Sequence, residues 1–185
     1  MVPGMKFDPD GELVARVGQG DRAAAQALMA RHLPKMLALA RRMLPGRGEA
    51  EDAVQDACLK LWTHAARWKP GKAKFETWLY RVTLNQCYDR LRKKPTVELE
   101  KAAGIADPAP SPEGALQNAA LTLQIEAALA DLPERQRAAI LLCHYQECGN
   151  IEAAEILGIS VEALESLLAR GRRALRTKLS HLRDG

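Results

Sequence analysis

Between Pro95 and Ala115 the chain reads PTVELEKAAGIADPAPSPEGA, with prolines at 95, 108, 110 and 112 and glycines at 104 and 114. Proline removes a backbone donor, and its ring clashes with the preceding helical turn, so a continuous helix cannot run through this stretch. The prediction is an extended, mobile linker over 95–115. It leaves 94 residues on one side and 70 on the other of a 185-residue chain. Each arm suffices for one small domain of roughly 50–100 residues.

Both arms are patterned for helices. Ala and Leu dominate and aromatics are only 4% of the chain, whereas strands draw on β-branched and aromatic side chains. Before the linker a short helix begins near Asp10 and stops at Gly18 and Gly20. A second begins at Asp21, a residue suited to the N-cap. It carries Ala24, Leu28, Met36, Leu37, Leu39 and Met43 and ends at Pro45-Gly46, with Pro34 expected to kink or interrupt it. A third runs from about Glu49 to Arg67. Its Ala53, Val54, Ala57, Cys58, Leu61 and Trp62 recur at three and four and form one apolar stripe. Glu49, Glu51 and Asp52 suit the positive end of its dipole. A fourth runs from about Phe75 to Lys93, with Trp78, Leu79, Val82 and Leu91 toward the core. After the linker, Leu116 to Ala130 is amphipathic. Pro133 suits the first turn of a helix carrying Ala138, Ile140, Leu141 and Leu142. A short helix spans Ile151 to Leu157, and a last one runs from Val161 to about Leu182. The fold class is all-α: two small helical domains joined by a Pro-rich linker.

No run approaches the roughly 20 apolar residues of a membrane span, and Met1 to Glu12 lacks the apolar core of a signal peptide. The expected location is the cytoplasm, without membrane insertion. Lys and Arg outnumber Asp and Glu by 27 to 23, a net charge of +4, which permits nucleic acid or acidic membrane as a partner. Cys58, Cys87, Cys143 and Cys148 form no Cys-x-x-Cys pair and are expected as free thiols packed like small apolar groups. Cys143, His144 and Cys148 could hold a metal, but their spacing matches no common zinc pattern and a fourth ligand is not evident. No metal and no cofactor are expected. His32, His64 and His181 are isolated and read as surface or partly buried side chains. No Ser-His-Asp order, phosphate-binding glycine loop or metal cluster suggests catalysis, so the protein is expected not to be an enzyme.

Two segments carry function. Asn150 to Ala169, NIEAAEILGISVEALESLLA, has the mechanics of a helix-turn-helix. Ala153 and Ala154 keep the inner face of the first helix small, Gly158 tolerates a left-handed turn, Ile159 plugs the gap, and Ser160 can cap the second helix. Leu164, Leu167 and Leu168 face the core. Arg170, Arg172, Arg173, Arg176 and Lys178 follow and can neutralise phosphates beside a groove. The alternative for these residues is a solvated helix end, where cations suit the C-terminal dipole. The second segment, Arg67 to Lys94, holds nine Lys or Arg against Glu76 and Asp89, a net +7, and five of the chain's eight aromatics: Trp68, Phe75, Trp78, Tyr80 and Tyr88. Cations that track phosphates, interleaved with faces that stack unpaired bases, are what single-stranded DNA needs. A basic surface over a core that uses Trp remains an equal reading of the same residues.

These signals, in this order and across a linker, resemble a sigma-70 family factor of the extracytoplasmic-function group over nearly the whole chain. GDRAAAQALMARHLPKMLALARRML resembles the start of the family's first conserved domain, and EDAVQDACLKLW its polymerase-binding helix. KFETWLYRVTLNQCYDRLRKK resembles the promoter-melting and −10 segment. LPERQRAAILLCHYQECGNIEAAEILGISVEALESLLARGRRALR resembles the second domain, which ends in the −35-binding helix-turn-helix. Two departures stand out: Glu165 and Leu167 occupy positions where the family commonly has Lys and Arg, and Glu147-Cys148-Gly149-Asn150 replaces the usual Gly-Leu-Ser-Tyr.

The resemblance implies a region 2-like domain over 1–94, a linker over 95–115 and a region 4-like domain over 116–185. Asp52, Gln55, Asp56 and Leu59 would meet core RNA polymerase. Lys72, Lys74, Phe75, Trp78, Asn85, Arg90, Arg92 and Lys93 would hold the −10 single strand. Ser160, Glu162, Glu165, Ser166, Arg170 and Arg173 would meet the −35 duplex, the glutamates accepting from cytosine amino groups. The linker, acidic at Glu98, Glu100, Asp107 and Glu113, would run through the polymerase interior. The expected partners are core polymerase, promoter DNA and an anti-sigma factor, since no part of the chain is left over as a sensor. The alternative, a stand-alone helix-turn-helix regulator reading a palindrome as a dimer, leaves the acidic-capped helix and the +7 segment without a role.

Overall fold

The computed structural model describes residues 7–69, 73–93 and 112–180, of which 112–119 are described as backbone. The described residues hold eight helices and no strand. In the first domain these are α1 (Gly11–Gly18), α2 (Arg22–Met43), α3 (Arg47–Ala65) and α4 (Phe75–Lys93). In the second they are α5 (Pro112–Ala130), α6 (Glu134–Ile140), which passes into one wide π turn over Leu141–Tyr145, α7 (Asn150–Leu157) and α8 (Val161–Lys178).

The first domain is organised around α2. Asp21 caps it as its side chain accepts from the Ala23 and Ala24 amides at 2.9 and 3.1 Å. Those bonds and the Arg16 guanidinium hold its carboxyl below the usual range. Pro34 does not interrupt the helix, contrary to one branch of the expectation. Pro34 and Ala30, whose carbonyl loses its helical partner, both lie on the exposed side, where the freed acceptor is not forced into the core. Leu28, Met36, Leu39 and Met43 of α2 are buried against Ala53, Ala57 and Leu61 of α3 and Phe75, Leu79 and Leu84 of α4.

Polar groups also lock this core. Asp8 accepts from the Phe75 amide at 2.9 Å and so caps α4 from the far end of the sequence. Asp10 and His32, at 2% and 3% exposure, face each other at 2.8 Å, and Arg31 also pairs with Asp10. Burial alone would raise the Asp10 pKa. The hydrogen bonds and charges of His32 and Arg31 outweigh it, and the carboxyl titrates below its ordinary value. His32 is therefore a core residue, which corrects the surface or partly buried expectation.

The second domain packs α6 against α8. A Cβ on Gly171 would sit 3.1 Å from Ile140 Cγ1, tighter than ordinary packing, so a larger residue there would oblige Ile140 to shift by a few tenths of an ångström. The first turn of α5 includes Pro112 to Ala115, the end of the expected linker, because proline is well tolerated at the first helical position. The remainder of that linker, 95–111, lies outside the described residues, as does His181. The two domains touch along α4 with α7 and along α2 with α6 and the π turn.

Candidate nucleic-acid interface

The outer face of α3 is set by helical spacing. Asp52, Gln55 and Leu59 point outward, three and four residues apart, and Leu59 is 57% exposed. Trp62 lies one turn on and is 42% exposed, so it belongs to this face and not to the apolar stripe expected from its spacing. Ala53, Val54, Ala57 and Leu61 fill the inner face without it, and Cys58 is half-buried. Asp56 is committed within the molecule: Arg90 of α4 donates to its Oδ2 at 2.6 Å. Both residues were expected at separate interfaces, and the fold uses them as a strut between α3 and α4.

On α4 the expected single-strand residues divide. Phe75 is fully buried, with ring centroids 5.5 Å from Trp68, 5.6 Å from Trp78 and 5.9 Å from His32. It supports the core and has no face to offer a base, which corrects the expectation for this residue. Trp78 is half-buried and stacks on His64 at 4.6 Å and 11°. The two rings line a groove of about 380 Å³ together with Lys60, Thr63, Arg67 and Val82. His64, Lys60 and Arg67 were not singled out as site residues. Part of their signal was present in the sequence, because Lys60 and His64 share a helix face and Arg67 follows in the turn just past α3, but which face meets α4 is decided by packing. Asn85 and Lys93 are exposed, Arg92 pairs with Asp89, and Lys72 lies outside the described residues. Lys74 reaches Glu152 of the second domain at 3.8 Å.

The helix-turn-helix has the expected local geometry. Gly158 closes α7 in the left-handed conformation at φ +66°. Ser160 caps α8, its Oγ accepting from the Ala163 amide at 3.2 Å. The carboxyl of Glu162 is held low by its own backbone amide and by Ser160, as suits a charge at a helix N-terminus. Glu162, Glu165, Ser166, Arg170 and Arg173 all lie on the exposed side of α8. The Ser166 hydroxyl donates to the Glu162 carbonyl at 3.0 Å, which leaves its lone pairs as acceptors. Leu164 and Leu168 are buried and Leu167 half-buried.

Burial raises the pKa of all four thiols, those of Cys87 and Cys148 to about 12. Among the described residues no group of three or more His, Cys, Asp or Glu side chains could hold a metal, and no helix is long and apolar enough to cross a membrane.

The described residues form two helical domains, the second of which carries a helix-turn-helix with an exposed second helix, an architecture shared by DNA-binding transcription proteins. Residues 28–95 match the Sigma-70 region 2 family, and residues 122–175 match Sigma-70, region 4. The chain is 34% identical over 179 residues to the ECF RNA polymerase sigma factor SigM of Mycobacterium tuberculosis, covering 95% of this chain and 87% of SigM. It is 32% identical to the ECF RNA polymerase sigma factor SigW of Bacillus subtilis, covering 91% and 96% of the two chains. Among solved structures, CnrH in complex with the cytosolic domain of CnrY superposes with a TM-score of 0.72 at 26% identity, over 94% of this chain and 99% of CnrH. This chain belongs to the extracytoplasmic-function group of sigma-70 family sigma factors.

Proposed function

We propose that the chain performs its sigma-factor role, binding core RNA polymerase and directing it to promoters, through three surfaces on two domains. The outer face of α3 meets the polymerase. The observation that carries this is the exposure of Leu59 and Trp62 on the same helix face as the acceptors Asp52 and Gln55, one and two turns further along α3. Large apolar side chains rimmed by polar ones mark an interaction surface. Asp56 acts there indirectly, by fixing α3 to α4 through Arg90.

Single-stranded −10 DNA is held on α4. Trp78 and His64 supply stacking surface, Lys60 and Arg67 supply charge beside it, and Lys74, Asn85, Arg92 and Lys93 add further donors, with Lys72 assigned to the same strand from the sequence alone. The −35 duplex takes α8 in its major groove. Arg170 and Arg173 grip phosphates, and Glu165 and Ser166 face base edges. Residues 1–94 thus act as the region 2 unit, 116–185 as the region 4 unit, and the acidic segment between them crosses the polymerase interior. The protein makes and breaks no bond and works in the cytoplasm. CnrH has been solved with the cytosolic domain of CnrY, and an anti-sigma protein is the corresponding regulator of this chain.

Core polymerase mixed with the protein and fragmented genomic DNA, followed by mapping of transcript starts, tests the reading. Starts that share −35 and −10 elements and vanish without the protein are the expected result. Asp52→Arg should weaken polymerase binding by like-charge repulsion at a rim contact while helicity is unchanged. Transcript starts that do not depend on the added protein would refute the proposal.

A further inference from the structure

We propose that Glu165 sets the base preference of the −35 contact by exclusion: its unpaired carboxylate admits the amino group of one cytosine and rejects the acceptor edges of guanine and thymine. This rests on the reading of α8 as the helix that enters the major groove.

Charge is split along α8. Glu162 and Glu165 lie in its first two turns, and every cation of the helix, from Arg170 to Lys178, lies beyond them. A recognition helix meets base edges with its N-terminal residues. The acidic end is therefore the one that approaches the bases, while the arginines behind it reach the phosphate backbone. A carboxylate brought among phosphates loses affinity by like-charge repulsion unless a donor in the groove compensates it.

The two glutamates differ in what already holds them. The Glu162 carboxyl is engaged at the helix start by its own amide and by Ser160, where it complements the positive end of the dipole. Glu165 is exposed, and among the described residues none donates a hydrogen bond to its side chain or forms an ion pair with it. Its neighbours at helical spacing are Val161, Glu162, Leu168 and Ala169, none of whose side chains is a donor. Ser166 adds no donor either. Its hydroxyl is spent on the Glu162 carbonyl at 3.0 Å, and its lone pairs face outward as further acceptors. Between Ser160 and Arg170 the exposed side chains thus carry acceptors and no free donor.

The major groove has two donors to match them, the amino groups of cytosine N4 and adenine N6. Adenine sets its N7 acceptor beside N6, where it meets the second carboxylate oxygen. Cytosine has only a C–H beside N4. Guanine O6 and N7 and thymine O4 are acceptors and repel both oxygens. At a wrong base the carboxylate is stripped of water and left without a partner, and that penalty supplies the larger share of the discrimination.

The test uses holoenzyme assembled from core polymerase and the wild-type chain, Glu165→Ala or Glu165→Gln. Each transcribes a pool of templates in which the base pairs around −35 are randomised upstream of one mapped start, and a transcribed barcode identifies the template. The expected wild-type result is a requirement for C·G at one position, about tenfold over the other pairs. Glu165→Ala should lose that requirement at that position and at no other. It should do so because output from the mismatched templates rises about tenfold, toward that of the cognate one. Glu165→Gln, whose amide carries a donor and an acceptor, should move the preference to A·T. Both variants should melt like the wild type by circular dichroism, because the side chain pairs with nothing in the folded chain. A wild-type preference that Glu165→Ala leaves intact at every position would overturn the proposal. So would a loss of output spread evenly over the pool or confined to the cognate template. A wild type with no base preference anywhere around −35 would refute the reading of α8 as the duplex-reading helix, and the proposal with it.

Discussion

Replacing Phe75 separates a core residue from a base-stacking one. The ring is fully buried and touches His32, Trp68 and Trp78 in edge or tilted arrangements. Phe75→Ala removes that apolar area and leaves a cavity between α2 and α4, at a cost of about 3–5 kcal/mol. A small domain has roughly 5–15 kcal/mol in all. At about 4–8 °C per kcal/mol for a domain of this size, the melting temperature should fall by roughly 12 °C or more. Phe75→Leu keeps most of the volume and should cost no more than about 1.5 kcal/mol. Urea unfolding followed by circular dichroism gives both values, and single-strand binding by Phe75→Leu completes the test. A core role predicts a strand affinity close to that of the wild type. A stacking role predicts a loss of about 1–3 kcal/mol in binding with stability hardly touched. Stability of Phe75→Ala within about 0.5 kcal/mol of the wild type, the range of an ordinary surface substitution, would refute the core assignment.

Asp10 titrates below its ordinary value in the folded chain, so its contribution to stability is present above the ordinary carboxylate range and is lost as the pH falls through the folded value. Urea midpoints between pH 7 and pH 3 should fall on the acid side, and Asp10→Asn should be less stable at neutral pH with a flatter acid limb. Gly158→Ala places a Cβ at φ +66° and should cost about 1 kcal/mol, read as a lower urea midpoint of the second domain. Arg170→Ala with Arg173→Ala should weaken duplex binding across sequences and flatten the dependence of log affinity on log salt by about 0.9 for each phosphate that is no longer neutralised. A changed −35 preference would instead assign these arginines to base readout.

Much of the architecture is legible in one sequence because its signals are local. Phe75 and Lys93 bound α4 in the reading and in the structure alike, as a proline lies just past the end and apolar residues recur at helical spacing within. The Asp21 cap, the Gly158 turn and the Ser160 cap likewise depend only on neighbours along the chain. The misplacements share one cause. Trp62 and Phe75 are large aromatics on amphipathic helices, and composition alone cannot say which ends up inside. Phe75 is enclosed because Asp8, far away in sequence, fixes the start of α4 beneath α2. Trp62 is excluded because alanines and Leu61 already fill the space between α3 and its neighbours.

Helix content, the division into two arms and the helix-turn-helix can all be read from the order of residues, since each follows from backbone preference and periodicity over a few turns. Which charges are available to partners is settled only by packing. Arg90 and Asp56 neutralise each other across α3 and α4. Lys74 and Arg81 are taken by α7, and Arg137 by carbonyls of both domains. Long side chains reach several ångströms beyond their own helix, so their partners are set by how helices distant in sequence are packed, and no local pattern carries that information.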